Sequence, residues 1–338
     1  MKLIKAAPDP LGVAPQPLTG DLQPRFLDEA MRTASEKALA ACEAVWVEHH
    51  EQEVVIAQIR SYLGTWALAE DKHSCGGRRL SQYSQAGKSA AMKRLRRVLA
   101  QIRREQGLEP NDYQVVIITL RKRLSLKQLY RLILKNLGDP HYEQERVGPD
   151  TLLKRIEEHS RLLGVELLVI DEVQHLDNAS RDATEVLDQL KVFVDEALFP
   201  IVFVGDEDSV GFFERNQKFA ARLGTPLELR PMEPLRDDDL GQSDALAFRQ
   251  FCDRFDRALR KSRAISKRAG LKNPHLLDGL ILSSKGHVGR VARILQVAVA
   301  HSVWRGAETI EAYDLSHAVR TYAMKNKWIL EDPYSRHA

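Results

Sequence analysis

The sequence predicts an α/β domain built on a parallel sheet, followed by a helical region. Three observations carry this. The runs QVVIITL (114–120), ELLVIDE (166–172) and PIVFVGDE (200–207) are continuously apolar and rich in β-branched residues, as strands buried on both faces are. Stretches with helical periodicity separate them. After the polar segment RDDDLGQSD (236–244), almost every stretch reads as helix. Strands alternating with helices imply a sheet covered on both sides.

Taken in order, residues 1–24 are rich in Pro and Gly and read as a flexible arm. Arg25 to about Trp46 reads as helix, because Phe26, Ala30, Ala34, Ala38, Ala41 and Val45 recur at three- and four-residue steps. Glu53 to Trp66 is a second helix, and together these make an N-terminal helical extension over 25–70. DKHSCGG (71–77) breaks the pattern with two glycines. A short strand RRLSQ (78–82) meets the turn YSQAGKS (83–89), and a helix follows over 90–107. Helices over Ser125–Leu137, Pro149–Leu163 and Ser180–Ala197 then alternate with the three apolar strands. A helix around Gly211–Leu223 precedes a last strand, PLELRP (226–231). Five parallel strands within 71–235 make one α/β domain. In 236–338, Phe248, Phe251, Phe255 and Leu259 form one apolar stripe, and helices cover Leu276–Ser283, Val288–Trp304 and Ile310–Met324. The chain carries no internal repeat.

Composition narrows the setting. The chain has 338 residues and a formal net charge of +3, too small to argue for or against a polyanionic partner by itself. Cys42, Cys75 and Cys252 are far apart, which is no disulfide framework and suits a reducing cytoplasm. His49, His50, His73 and Cys75 fit no common zinc spacing. The N-terminus lacks the apolar core of a signal peptide, and no apolar run is long enough to span a bilayer. The expected setting is therefore cytoplasmic, with no membrane partner.

Two motifs carry chemistry. QYSQAGKS (82–89) lies between a strand and a helix and approximates the phosphate loop GxxxxGK[ST], with Gln82 where the pattern has its first glycine. Such a loop turns backbone N–H groups toward phosphate, and the helix N-terminus adds partial positive charge. Ser84, Gln85, Ala86, Gly87, Lys88, Ser89 and Ala90 are the expected nucleotide contacts, with Lys88 on the β- and γ-phosphates and the Ser89 hydroxyl on Mg²⁺. The second motif, LLVIDE (167–172), delivers two carboxylates at the end of a strand. Asp171 would hold Mg²⁺, and Glu172 would act as general base toward water. The expected cofactors are ATP and Mg²⁺.

With both motifs placed, the chain resembles the AAA+ ATPases, and within them the TniB/TnsC family of transposition regulators. The resemblance covers roughly Arg78 to Leu315. It rests on Ile170-Asp171-Glu172 with His175, on Leu190-Lys191, on Pro200-Ile201-Val202 with Gly205, on KGHVGRVARIL (285–295) and on RGAETIEAYDL (305–315). It implies an αβα sandwich followed by a C-terminal helical lid over 236–338. It also implies a residue at Asp206 that senses the γ-phosphate, where the family often has Thr or Asn. Arg222 would act as a finger toward a neighbouring subunit's nucleotide, and Arg290 lies one residue after the usual lid arginine. Basic clusters at 93–104 and 257–270 read as solvated faces. Arg121, Lys122 and Arg123 leave a strand directly, where the family's loops line a DNA channel, and are the expected DNA contacts. The implied partners are double-stranded DNA, a transposase, a target-selection protein and further copies of the chain in a ring or helical filament. Two other readings stay open: another AAA+ role, such as a helicase loader or defence-system ATPase, and a nucleotide-binding scaffold that does not hydrolyse.

Overall fold

A computed structural model describes residues 29–83, 85–177, 180–233 and 244–335. The expected N-terminal arm (1–24), Ser84 and most of the 236–244 segment lie outside these residues. The described chain divides into two compact units. One contains 48–231 with 287–289, and the other the residues before 48, 232–286 and those from 290 onward.

The first unit holds the sheet. Strands β1 (Arg78–Ser81), β2 (Val115–Thr119), β3 (Leu167–Asp171) and β4 (Ile201–Gly205) are all parallel and lie in the order β1-β4-β3-β2. Their side chains alternate between two cores, as the period of a strand dictates. Val116, Ile118, Leu168, Ile170, Ile201 and Phe203 point to one face. There they meet helices α4 (Leu126–Asn136), α5 (Pro149–Leu162), α6 (Arg181–Asp195), α7 (Asp208–Arg215) and α8 (Gln217–Ala220). Leu80, Val115, Leu167, Val169, Val202 and Val204 point to the other face, against α2 (His50–Leu68) and α3 (Lys88–Glu105). The three-layer αβα sandwich expected from the sequence is present, and α2 of the N-terminal extension is part of it.

Among the described residues the sheet has four strands, not the five expected. Residues 226–231 make only a single parallel bridge, Leu80 to Leu227, with the Leu227 N–H donating to the Arg79 carbonyl at 2.8 Å. Pro226 and Pro231 bracket this segment, and proline cannot donate to a ladder. The helix expected around 211–223 is two pieces, broken at Asn216, whose φ of −110° and ψ of 53° are not helical.

The second unit is helical: α1 (Glu29–Glu43), α9 (Asp244–Lys261), α10 (Pro274–Ser284), the body of α11 (Val288–Trp304) and α12 (Ala312–Ala318), which continues as a π-helical turn over Val319–Ala323. The Phe248, Phe251, Phe255 and Leu259 stripe is buried as the periodicity requires. Some of the basic residues around 257–270 also form ion pairs. Arg257 and Arg268 pair with Asp253, which holds that carboxyl well below the usual range, at about 2.

Candidate nucleotide site

All four strands end on one edge of the sheet, and parallel α/β proteins bind ligands outside that edge. Ser81 lies beside Gly205, and Thr119 beside Asp171. The candidate phosphate loop therefore leaves β1 next to the end of β4, and the Gln82 N–H donates to the Gly205 carbonyl at 3.2 Å.

The loop is built from local geometry. Gln85 and Gly87 both take left-handed backbone angles, with φ of 64° and 97°. Gly87 caps α3, so the first-turn N–H groups of that helix face the loop. Gln52 of α2 is buried and donates from Nε2 to the Gly87 carbonyl at 3.1 Å. A β-carbon at Gly87 would lie 2.6 Å from that same Nε2. Gly289 supports the loop from another side, since a β-carbon there would lie 2.0 Å from the Gln85 carbonyl oxygen. Lys88 folds back on the loop, donating to the carbonyls of Gln82 at 2.7 Å and Tyr83 at 3.0 Å. Burial lowers its pKa, while Asp206, Asp171, Glu207 and Glu172 push the other way. Ser89 is exposed at the start of the helix.

The acid pair sits on a tight turn. Asp171 ends β3 and is partly buried, and this burial raises its pKa. Its Oδ1 accepts from the Glu172 N–H at 2.9 Å. Glu172 has φ of 63°, a left-handed conformation that costs a non-glycine residue about 1–2 kcal/mol. Such strain clusters at functional sites. Gln174 donates from Nε2 to Glu172 Oε2 at 2.6 Å, and His175 anchors its Nδ1 at the Leu120 carbonyl at 3.0 Å.

A cleft of about 800 Å³ opens beside this turn, lined among others by Glu172, Gln174, Asp206, Lys122 and Arg123. Two of the three expected DNA-contact residues thus share a cleft with the proposed base. Arg123 also has φ of 60°, which turns the loop sharply after β2. Arg121 is exposed.

Arg222 lies elsewhere. Its backbone carbonyl accepts from Gly77 N–H, at the opposite end of β1 from the phosphate loop, and its guanidinium pairs with Asp195 at 2.7 Å. It cannot serve the nucleotide site of its own chain. Arg290, in the helical unit, lies over the Trp328 ring at 5.0 Å. Sequence reasoning missed Gln52 and Gln174. Gln174 lies within the VQHL turn directly after the acid pair, which was its available signal, whereas Gln52 belongs to no motif.

This architecture is that of the AAA+ proteins. The chain is similar to ORC1 of Aeropyrum pernix, solved in complex with DNA (16% identity over 83% of this chain and 67% of that one, TM-score 0.56). It is also similar to ORC2 of Aeropyrum pernix, solved with ADPNP and ADP (14%, 82% and 68%, TM-score 0.55), and to Cdc6p of Pyrobaculum aerophilum (16%, 83% and 70%, TM-score 0.52). At these identities the likeness is one of fold. The family model described as bacterial TniB protein matches residues 38–232, and the chain belongs to the TniB family. No curated protein sequence matches the chain. No described helix is long and apolar enough to cross a membrane.

Proposed function

We propose that this chain is an ATP-hydrolysing regulator of transposition that assembles on duplex DNA and links a target-selection protein to a transposase. The observation that carries the reading is the meeting of Lys88, Asp171 and Glu172 at one sheet edge in a chain of the TniB family. The residues suit Mg²⁺-ATP. The loop is a cradle that a β-carbon at Gly87 would crowd, and Asp171 ends a strand of the same sheet edge. Magnesium, when bound, would neutralise charge on the β- and γ-phosphates, held by Ser89 and Asp171.

The chain's own residues supply the rest. The N–H groups of residues 85–90 would cradle the phosphates. Lys88 would exchange the Gln82 and Tyr83 carbonyls for phosphate oxygens. Glu172 would take the proton of the attacking water. Asp206 would face the γ-phosphate side, and Arg290 would serve as the lid arginine. Arg222, committed to the far edge of its own sheet, would leave Asp195 for the nucleotide of a neighbouring copy, so hydrolysis would depend on assembly. Arg121, Lys122 and Arg123 would track the DNA backbone without reading sequence. The DNA bound by one structural neighbour and the nucleotides bound by another support this reading.

Sedimentation with duplex DNA tests it. Large assemblies are expected with a non-hydrolysable ATP analogue, fewer with ADP, and none for Lys88→Ala. Assembly indifferent to nucleotide would contradict the proposal.

A further inference from the structure

We infer that Gln174 is the positioning residue of the base, clamping the Glu172 carboxylate to the end of β4. The inference rests on the reading of Glu172 as general base.

The geometry is reciprocal. Gln174 Nε2 donates to Glu172 Oε2 at 2.6 Å, while its Oε1 accepts from the Asp206 main-chain N–H at 3.4 Å. A backbone N–H can only donate, so the amide oxygen must face Asp206 and the NH₂ must face the carboxylate. The network thereby fixes which amide atom faces which partner. One side chain therefore joins the turn after β3 to the residue after β4.

This bond restrains the proposed base where its backbone is least comfortable. Glu172 is left-handed at φ 63°. Its N–H is held by Asp171 Oδ1, and its carbonyl accepts from the His175 N–H at 3.0 Å. Those bonds fix the backbone and leave the carboxylate free to rotate. His175 Nε2 is 4.0 Å from Glu172 Oε2, beyond hydrogen-bond reach. Gln174 lies within hydrogen-bond distance of the carboxylate and also reaches Asp206, directly after β4. Position 174 needs both a donor and an acceptor on a side chain of this length. Glutamate would keep the acceptor but set carboxylate against carboxylate, and methionine would keep the shape and lose both bonds.

The test compares single-turnover phosphate release and nucleotide affinity in the full chain with duplex DNA. The variants are Gln174→Met, Gln174→Glu, Glu172→Gln and the double variant Glu172→Gln/Gln174→Met. Gln174→Met is expected to slow release about tenfold, with ATP affinity within about twofold, because a displaced catalytic group loses rate rather than binding. Gln174→Glu should be slower still. Glu172→Gln should lose about a hundredfold or more, and adding Gln174→Met to it should cost nothing further. A residue acting only on the fold would lower affinity, or slow both backgrounds by the same factor. Either result, or wild-type release in Gln174→Met, overturns the inference while a slow Glu172→Gln leaves the base in place. Wild-type release in Glu172→Gln overturns the base assignment and the inference with it.

Discussion

At Gly87 the backbone φ of 97° and the nearby Gln52 amide demand a residue without a side chain. The blocking atom is the far end of a flexible side chain, so the clash can be relieved, but the left-handed strain cannot. Gly87→Ala should lower stability by about 1–2 kcal/mol, read from urea denaturation midpoints, and weaken nucleotide binding. Unchanged values for both would show that the loop takes another conformation. Asp171 presents the opposite case, a functional group carried at some expense to the fold. Burial raises its pKa above its ordinary value, so the folded chain binds the proton more tightly than the unfolded chain does. The group's contribution to stability is then greatest below the ordinary carboxylate range and falls as pH rises through the folded pKa. Asp171→Asn removes the charge and keeps an Oδ1 acceptor for Glu172 N–H. It should stabilise the nucleotide-free protein near neutral pH, with the gain fading in acid, and it should abolish Mg²⁺-dependent turnover. Denaturation curves at two pH values check the sign.

At the scale of elements, the three apolar strands and their helices were legible because burial on both faces leaves continuous apolar runs that periodicity can find. Phe203 shows the logic. It is fully buried in β4, with its ring edge-on to Phe219 at 5.0 Å between centroids. Phe203→Ala should cost about 3–5 kcal/mol, measurable by denaturation. The fifth strand was misread because Leu227 and Leu229 are buried as a strand's residues would be, while the flanking prolines limit the ladder to one bridge. The turn after β1 and the acid pair at the end of β3 stand out as local motifs, as candidates for the nucleotide site. Gln52 does not, because its partner Gly87 is 35 residues away and sequence spacing carries no signal for such a contact. The helical unit hides a second long-range device. Asp314 is fully buried and is held by His301 Nδ1 at 2.6 Å and by the Arg305 guanidinium. These partners outweigh burial and lower its pKa, so the stability it provides is present above the ordinary carboxylate range and lost as pH falls through the lowered value. Asp314→Ala removes the carboxylate that His301 shares and leaves Arg305 with Glu311 as its acidic partner, and should cost about 1–3 kcal/mol. A thermal melt indistinguishable from wild type would remove the ion pair from the list of structural supports.

At the scale of the whole molecule, the proposed cycle couples DNA to the nucleotide through assembly. Lys122 and Arg123 open on the cleft that contains Glu172, so a duplex held there would lie near the proposed base. Replacing either with alanine should weaken duplex binding evenly across sequences and reduce the salt slope by about 1 each, checked by titrations at several salt concentrations. A sequence-dependent loss would instead assign them to base reading. Arg222, at the opposite end of β1 from the phosphate loop, should matter only when copies meet. The central claim is an ATPase whose turnover depends on duplex DNA. The most direct measurement is phosphate release by the purified chain with and without duplex, alongside Lys88→Ala. The expected result is turnover stimulated by DNA and lost in the variant. Nucleotide binding without turnover in either condition would contradict it and leave a scaffold that binds ATP.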